Sequence, residues 1–255
     1  MDQSTLYKNV ILDIEGTVCP ISFVKDQLFP YFLQQLPSYL DKYEFPLNPN
    51  KESNDKIETI LTQFDSSIYS NKKSLLSYIE KLVRDDIKDP ILKQLQGFIW
   101  EQGYTTGTIM APLFEDAIEA MKLWSILCDG LYIYSSGSVK AQKLLFGNVK
   151  VSTVSNKFEC ANMNNLITDY FDTVNIGKKT DVESYEKILD AIGVKEEEDK
   201  KKCLFLSDNP LEVSAAISSG MTSFIVEKPG NYPLSDNDRK TCKIITDFKT
   251  LFGSN

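Results

Sequence analysis

Not one of the chain's 255 residues is histidine. That absence excludes a Ser-His-Asp or Cys-His nucleophile, phosphohistidine chemistry and any imidazole-ligated metal. Catalysis must therefore rest on carboxylates, lysines, hydroxyls or a hard metal ion. Cysteine is sparse as well. Cys19, Cys128, Cys160, Cys203 and Cys242 are odd in number and scattered, with no CxxC pair, so neither a disulfide framework nor a zinc site is indicated. Positive charge is in deficit. The 28 Lys and Arg are outnumbered by 36 Asp and Glu, a net charge of −8 that argues against nucleic acid or an anionic membrane as partner. An anionic ligand would need local positive charge. No apolar run approaches the eighteen or so residues of a membrane span, and the opening Met1-Asp-Gln-Ser-Thr-Leu-Tyr-Lys8 lacks a basic-then-apolar leader, so a soluble intracellular protein is expected.

What is present is a globular composition, 42% hydrophobic and 25% charged, sufficient for one large α/β domain or two unequal ones. Val10-Ile-Leu12 reads as a buried strand that stops at Asp13, Glu15 and Gly16. Asp13 and Glu15 lie two apart and share a face of an extended backbone, while Gly16 allows a sharp exit and a close ligand. From Ile21 to Ile99 the apolar spacing is helical, with Pro30 and Pro37 predicting two short helices and a break, and no strand is expected between Pro20 and Thr108. Residues 20–110 are therefore expected to form an all-helical insert, and 1–19 with 111–255 an α/β core.

After Ala111 helix and strand alternate. Leu131-Tyr-Ile-Tyr134 ends at Ser135-Ser-Gly-Ser138, whose last serine can cap a helix over 139–146. Asn148 to Asn165 reads as a loop with at most one short strand, and Tyr170 to Val174 as a strand leading to Gly177-Lys-Lys179. Thr180 and Glu183 predict a capping box. Cys203-Leu-Phe-Leu206 ends at Ser207-Asp-Asn-Pro210, where Asn209, Pro210 and Glu212 mark a helix start. Such alternation predicts a doubly wound parallel sheet, whose ligands bind outside the carboxyl ends of the strands. Asp13, Glu15, Ser135, Ser136, Lys179 and Asp208 would then meet at one edge, with helix amino termini and free N–H groups. Asp13 and Asp208 would most simply share a Mg²⁺, and with lysine and N–H donors beside it the natural ligand is a phosphate. Taken singly, each group has a bland reading as a hydroxyl-rich turn, a solvated lysine pair or an Asx cap.

Asp13-Ile-Glu-Gly-Thr17, Tyr134-Ser-Ser-Gly137, Gly177-Lys-Lys-Thr180 and Leu206-Ser-Asp-Asn209 together resemble the four ordered motifs of the haloacid dehalogenase superfamily of aspartate-nucleophile phosphatases. Glu15 in place of a second aspartate, with Thr17-Val-Cys-Pro-Ile-Ser-Phe-Val-Lys25, Leu28-Phe-Pro-Tyr31 and the run from Tyr132 to Gly147, resembles the enolase-phosphatases of methionine salvage. Val18-Cys19 departs from the threonines usual there, and the stretch from Asn148 to Tyr170 is longer than usual.

The resemblance implies a Rossmann-like core with a helical cap, one Mg²⁺ per chain and a small phosphorylated substrate, 2,3-diketo-5-methylthiopentyl-1-phosphate. That substrate would be enolised and then dephosphorylated to the acireductone. Asp13 would be the nucleophile and Glu15 the general acid and base. Ser135, Ser136 and Gly137 would bind substrate, Lys179 would neutralise the anions, and the metal would sit on Asp13, Asp208 and the main chain of Glu15. The insert would close over the site and meet the methylthio chain near Phe23. A monomer in the cytoplasm, or also the nucleus, is implied likewise. Two rivals stand beside this reading, a phosphatase for another small ester and a non-catalytic phosphate-binding relative.

Overall fold

Asn9–Leu12 forms β1, and a run of apolar side chains buried on both faces requires the interior of a sheet. The computed structural model describes residues 7–49, 54–152 and 158–252. In it the chain continues through β2 (Gly130–Ser135), β3 (Val149–Ser152), β4 (Phe158–Ala161), β5 (Asp169–Asp172), β6 (Cys203–Ser207), β7 (Thr222–Val226) and β8 (Ile244–Ile245). A 6-stranded parallel sheet takes the order β5-β2-β1-β6-β7-β8, and β3 pairs antiparallel with β4 apart from it. The polar stretch after Asn148, expected as a loop with at most one short strand, holds two, with residues 153–157 outside the described set.

Two compact units divide the chain, Met1–Phe23 with Met110–Asn255, and Val24–Ile109. The second unit is helical: a π-helical turn at Val24–Leu28, then α1 (Phe29–Leu40), α2 (Lys56–Leu61), α3 (Lys72–Arg84) and α4 (Pro90–Thr105). Its core gathers Phe32, Leu36, Leu40, Leu61, Leu75, Ile79, Leu95 and Ile99. Asp55, Asn71 and Asp89 cap α2, α3 and α4 with side-chain oxygens. The break expected from Pro30 and Pro37 does not occur: Pro30 sits in the first turn of α1, and α1 runs through Pro37. Proline forfeits one ladder bond there, and the burial of Phe32, Leu36 and Leu40 along one face offsets the loss.

The α/β unit adds α5 (Glu115–Leu127), α6 (Val139–Gly147), α7 (Val182–Ala191), α8 (Glu197–Lys200), α9 (Pro210–Ser218) and α10 (Asp236–Thr241). Ser138 and Asn209 cap α6 and α9 as their sequences predict. The box expected from Thr180 and Glu183 does not form: Asp181 is the cap residue of α7, and its side chain makes no cap bond. Ile11, Tyr134, Tyr185, Ile188 and Phe205 pack one side of the sheet. Register aligns the strand ends. Leu12 lies opposite Ile133 of β2 and Leu206 of β6, so Asp13, Tyr134 and Ser207 come level at the carboxyl ends of three adjacent strands. On the far side of β2, Ser135 pairs with Asp172.

Candidate active site

Asp13 leaves β1 buried, 6% exposed, with its N–H donating to the Leu206 carbonyl at 2.9 Å. A carboxylate so enclosed needs compensation. Lys179 Nζ provides it, 2.5 Å from Asp13 Oδ1, and the Ile14 N–H donates to the same oxygen at 2.8 Å. The ammonium also lies 2.7 Å from Glu212 Oε2, so one buried cation joins two buried carboxylates. Between them the Ser207 hydroxyl stands 2.8 Å from Glu212 Oε2 and 3.1 Å from Asp13 Oδ2, one proton shared by two acceptors. The loop carrying the lysine is fixed from below. Tyr134 donates its hydroxyl to the Gly177 carbonyl at 2.9 Å, and Tyr185 donates to the Lys179 carbonyl at 2.7 Å.

The electrostatics favour this network and leave acid in surplus. Burial alone would lower the Lys179 pKa, but the charges of Asp13 and Glu212 overcome it and hold the ammonium above its ordinary value. Glu212 is pushed up to about 6 by burial first and the Asp13 charge second. Asp208 is pushed up to about 7, by burial, then Asp13, then Glu212, against the opposing pull of Lys179. Three acids thus crowd one lysine.

That surplus of negative charge favours a bound cation. Asp208 lies against the turn after β1: its N–H donates to Thr17 Oγ1 at 3.1 Å, and a Cβ built on Gly16 would stand 2.4 Å from Asp208 Oδ2. Gly16 has φ 73°, a left-handed conformation, so both its backbone and its missing side chain are needed for this approach. No group of three or more Cys, Asp or Glu among the described residues is arranged to hold a metal on side chains alone. Mg²⁺ asks for less. It takes one or two carboxylates, main-chain oxygens, waters and substrate phosphate. Two hard carboxylates, Asp13 and Asp208, mutually repelling and next to a turn of main-chain oxygens, fit that ion.

The remaining expected site residues fall at the same strand ends. Ser135 closes β2, is 5% exposed, and accepts the Gly137 N–H at 3.3 Å. Ser136 and Glu15 are exposed, and Gly137 is half-buried. Lys178 is exposed where Lys179 is buried at 8% exposure, which separates the two lysines the sequence placed side by side. Cys19 is fully enclosed, and burial, then the Glu15 charge, raise its pKa so that it stays a neutral thiol. Phe23 is also buried. Glu212 was legible as a helix-start marker and in no other role. Its participation comes from tertiary folding, since the first turn of α9 turns it inward to Lys179, and no local spacing signals that contact.

No family model matches the chain. Enolase-phosphatase E1 of Scheffersomyces stipitis is 49% identical over 244 residues, 95% of this chain and 98% of that one. Enolase-phosphatase E1 of Candida tropicalis is 51% identical over 243 residues, covering 95% and 97%. Among solved structures, the UTR4 protein (Unknown transcript 4 protein) of Saccharomyces cerevisiae is 42% identical with TM-score 0.78, over 96% of this chain and 99% of that one. The HAD-hydrolase YfnB of Bacillus subtilis, bound to magnesium, shares the fold at 13% identity and TM-score 0.56, over 96% and 97%.

Proposed function

The chain belongs to the enolase-phosphatase E1 family of haloacid dehalogenase-fold hydrolases, and from that premise we propose that it turns 2,3-diketo-5-methylthiopentyl-1-phosphate into the acireductone and phosphate, in methionine salvage. The observation that carries the proposal is the buried Asp13–Lys179–Glu212 network at the carboxyl edge of the sheet, with Asp208 beside it. A carboxylate held in place by a permanent cation is poised to meet an anionic phosphorus centre.

In this reading Asp13 attacks phosphorus in line and becomes an aspartyl phosphate, which water then hydrolyses. Lys179 keeps its proton throughout and lowers the repulsion between nucleophile and phosphate. Ser135, Ser136 and the Gly137 N–H bind phosphoryl oxygens, the Gly137 N–H exchanging its long 3.3 Å contact with the Ser135 hydroxyl for a ligand oxygen. Glu15, exposed at the rim, gives a proton to the leaving oxygen and takes one from the attacking water. Before dephosphorylation, Ser136 and Lys179 orient the diketone for enolisation. Mg²⁺, one per chain, would be held by Asp13, Asp208 and the Glu15 main-chain carbonyl and would supply positive charge opposite the phosphoryl oxygens. The α/β unit is proposed as the phosphatase core and the helical unit as a distinct inserted domain.

A small-molecule substrate suits a net charge of −8 better than nucleic acid does. A monomer in the cytoplasm, or also the nucleus, belongs to the same reading by family resemblance. No helix among the described residues is long and apolar enough to cross a membrane. The test is to incubate the protein with the diketone phosphate and Mg²⁺, following phosphate and the enediol absorbance together. Both products are expected. Phosphate from other esters, with none from this one, would leave the phosphatase and remove the assigned substrate.

A further inference from the structure

Two buried side-chain atoms among the described residues have no hydrogen-bond partner, Gln142 Oε1 and Asn231 Oδ1. Each belongs to a primary amide, and the two amides are built alike. Asn231 Nδ2 donates to the Gly16 carbonyl at 2.9 Å and to the Val226 carbonyl at 3.1 Å. Gln142 Nε2 donates to the Gly137 carbonyl at 2.8 Å and to the Phe171 carbonyl at 2.9 Å. In each case one acceptor lies at a strand of the sheet, at the end of β7 or in β5, and the other lies in a loop of the candidate site.

Stranding a buried oxygen costs free energy, and an apolar side chain of the same size would avoid that cost. What the apolar side chain lacks is the pair of N–H donors. Two donors on one planar nitrogen hold two carbonyls at a set separation, and fixing a carbonyl fixes the plane of its peptide. At Gly16 that plane belongs to the left-handed turn against which Asp208 rests, three residues after Asp13. At Gly137 it belongs to the loop after Ser135, at the start of α6, whose first N–H, that of Val139, is also tied to Asp172 Oδ2 at 3.0 Å. The two loops are those that would present nucleophile, metal ligands and phosphate donors.

We infer that Asn231 and Gln142 are positioning residues, a matched pair of amide clamps that hold the Gly16 turn and the Ser135–Gly137 loop in the geometry phosphoryl transfer requires. The inference rests on the proposed phosphatase reading of those loops. Neither amide touches the reacting atoms. Asn231 acts through Gly16 on the seat of Asp208, and Gln142 acts through Gly137 on the phosphate loop.

The test replaces each amide by an apolar isostere, Asn231→Leu and Gln142→Met, with Asn231→Asp and Gln142→Glu as a second pair that keeps shape and removes the donors. Kinetics on the phosphorylated diketone are measured well below each variant's melting temperature, together with calorimetric titration of Mg²⁺ and inhibition by inorganic phosphate. A displacement of about 1 Å at such loops is worth ten- to a hundredfold in rate. Asn231 variants are expected to lose that much in kcat with KM within threefold, and to bind Mg²⁺ at least fivefold more weakly. Gln142 variants are expected to raise KM and the phosphate inhibition constant about tenfold, with Mg²⁺ binding unchanged. Folded variants with lowered melting temperature but all four quantities within twofold of the native chain would overturn the inference and leave the phosphatase reading intact. A native chain that releases no phosphate from any ester would overturn both.

Discussion

Lys179 holds Asp13 and Glu212 at once, and its removal would leave both carboxylates buried without their cation. Breaking a buried pair in this way costs about 3–5 kcal/mol, so Lys179→Met should lower the denaturation midpoint sharply as well as abolish turnover. An unchanged midpoint in urea unfolding would refute the burial argument. Glu212 acts one step further back. Glu212→Gln keeps its shape and the acceptor for Ser207 while removing a charge that pushes Asp208 up, so the Asp208 pKa should fall and kcat should drop by about tenfold or more through misplacement of Lys179. A kcat within twofold of native would make Glu212 a helix-start residue and nothing else. Asp13, Lys179 and Asp208 were legible because each stands where a recognisable strand or cap signal stops. Glu212, Gln142 and Asn231 were not, because Lys179, Phe171 and Gly16 lie far from them along the chain, and no local pattern encodes such a contact.

The strand–turn element after β1 concentrates the backbone demands of the site. Gly16 takes φ 73° with Asp208 Oδ2 2.4 Å from where a Cβ would be. Gly16→Ala should therefore lose roughly 1–2 kcal/mol to the left-handed backbone alone and displace Asp208 besides. Mg²⁺ affinity by calorimetry should fall by about tenfold, and an undiminished affinity would mean that Asp208 is not a ligand. At this scale the sequence was informative wherever one element carried its own signal. The buried runs β1, β2 and β6 and the caps Ser138 and Asn209 were readable from composition and turn chemistry. Pro37 misled, because burial of Phe32, Leu36 and Leu40 outweighs one missing helical bond. So did Thr180 and Glu183, whose spacing suits a box but whose helix takes Asp181, one residue later, as its cap. The β3–β4 pair hides in a polar stretch because β4 is largely exposed and β3 buries only Val149, so neither needs an apolar run, and Phe158 packs under Lys150 with the ammonium 3.7 Å from the ring centre.

The whole molecule carries its acid surplus into its pH dependence. Asp208 and Glu212 have ordinary values of 3.8 and 4.5 and folded values of about 7 and about 6, so the folded protein binds their protons more tightly than the unfolded chain. Stability of the metal-free protein is then greatest below about pH 4 as far as these groups are concerned, and it falls as pH rises through 6 and 7. Mg²⁺ must displace such a proton, so its stabilisation in thermal melts should be larger at pH 8 than at pH 5, with protons released on binding. Equal shifts at both pH values would contradict a carboxylate site at Asp208. Above all, Asp13 is expected to act as the nucleophile of an enolase-phosphatase. The most direct measurement follows phosphate and enediol absorbance from the diketone phosphate with Mg²⁺, for the native chain and for Asp13→Asn. Both products are expected from the native chain, and the folded variant should lose phosphate release by at least about 10⁴-fold. Phosphate released at a comparable rate by Asp13→Asn would contradict that role.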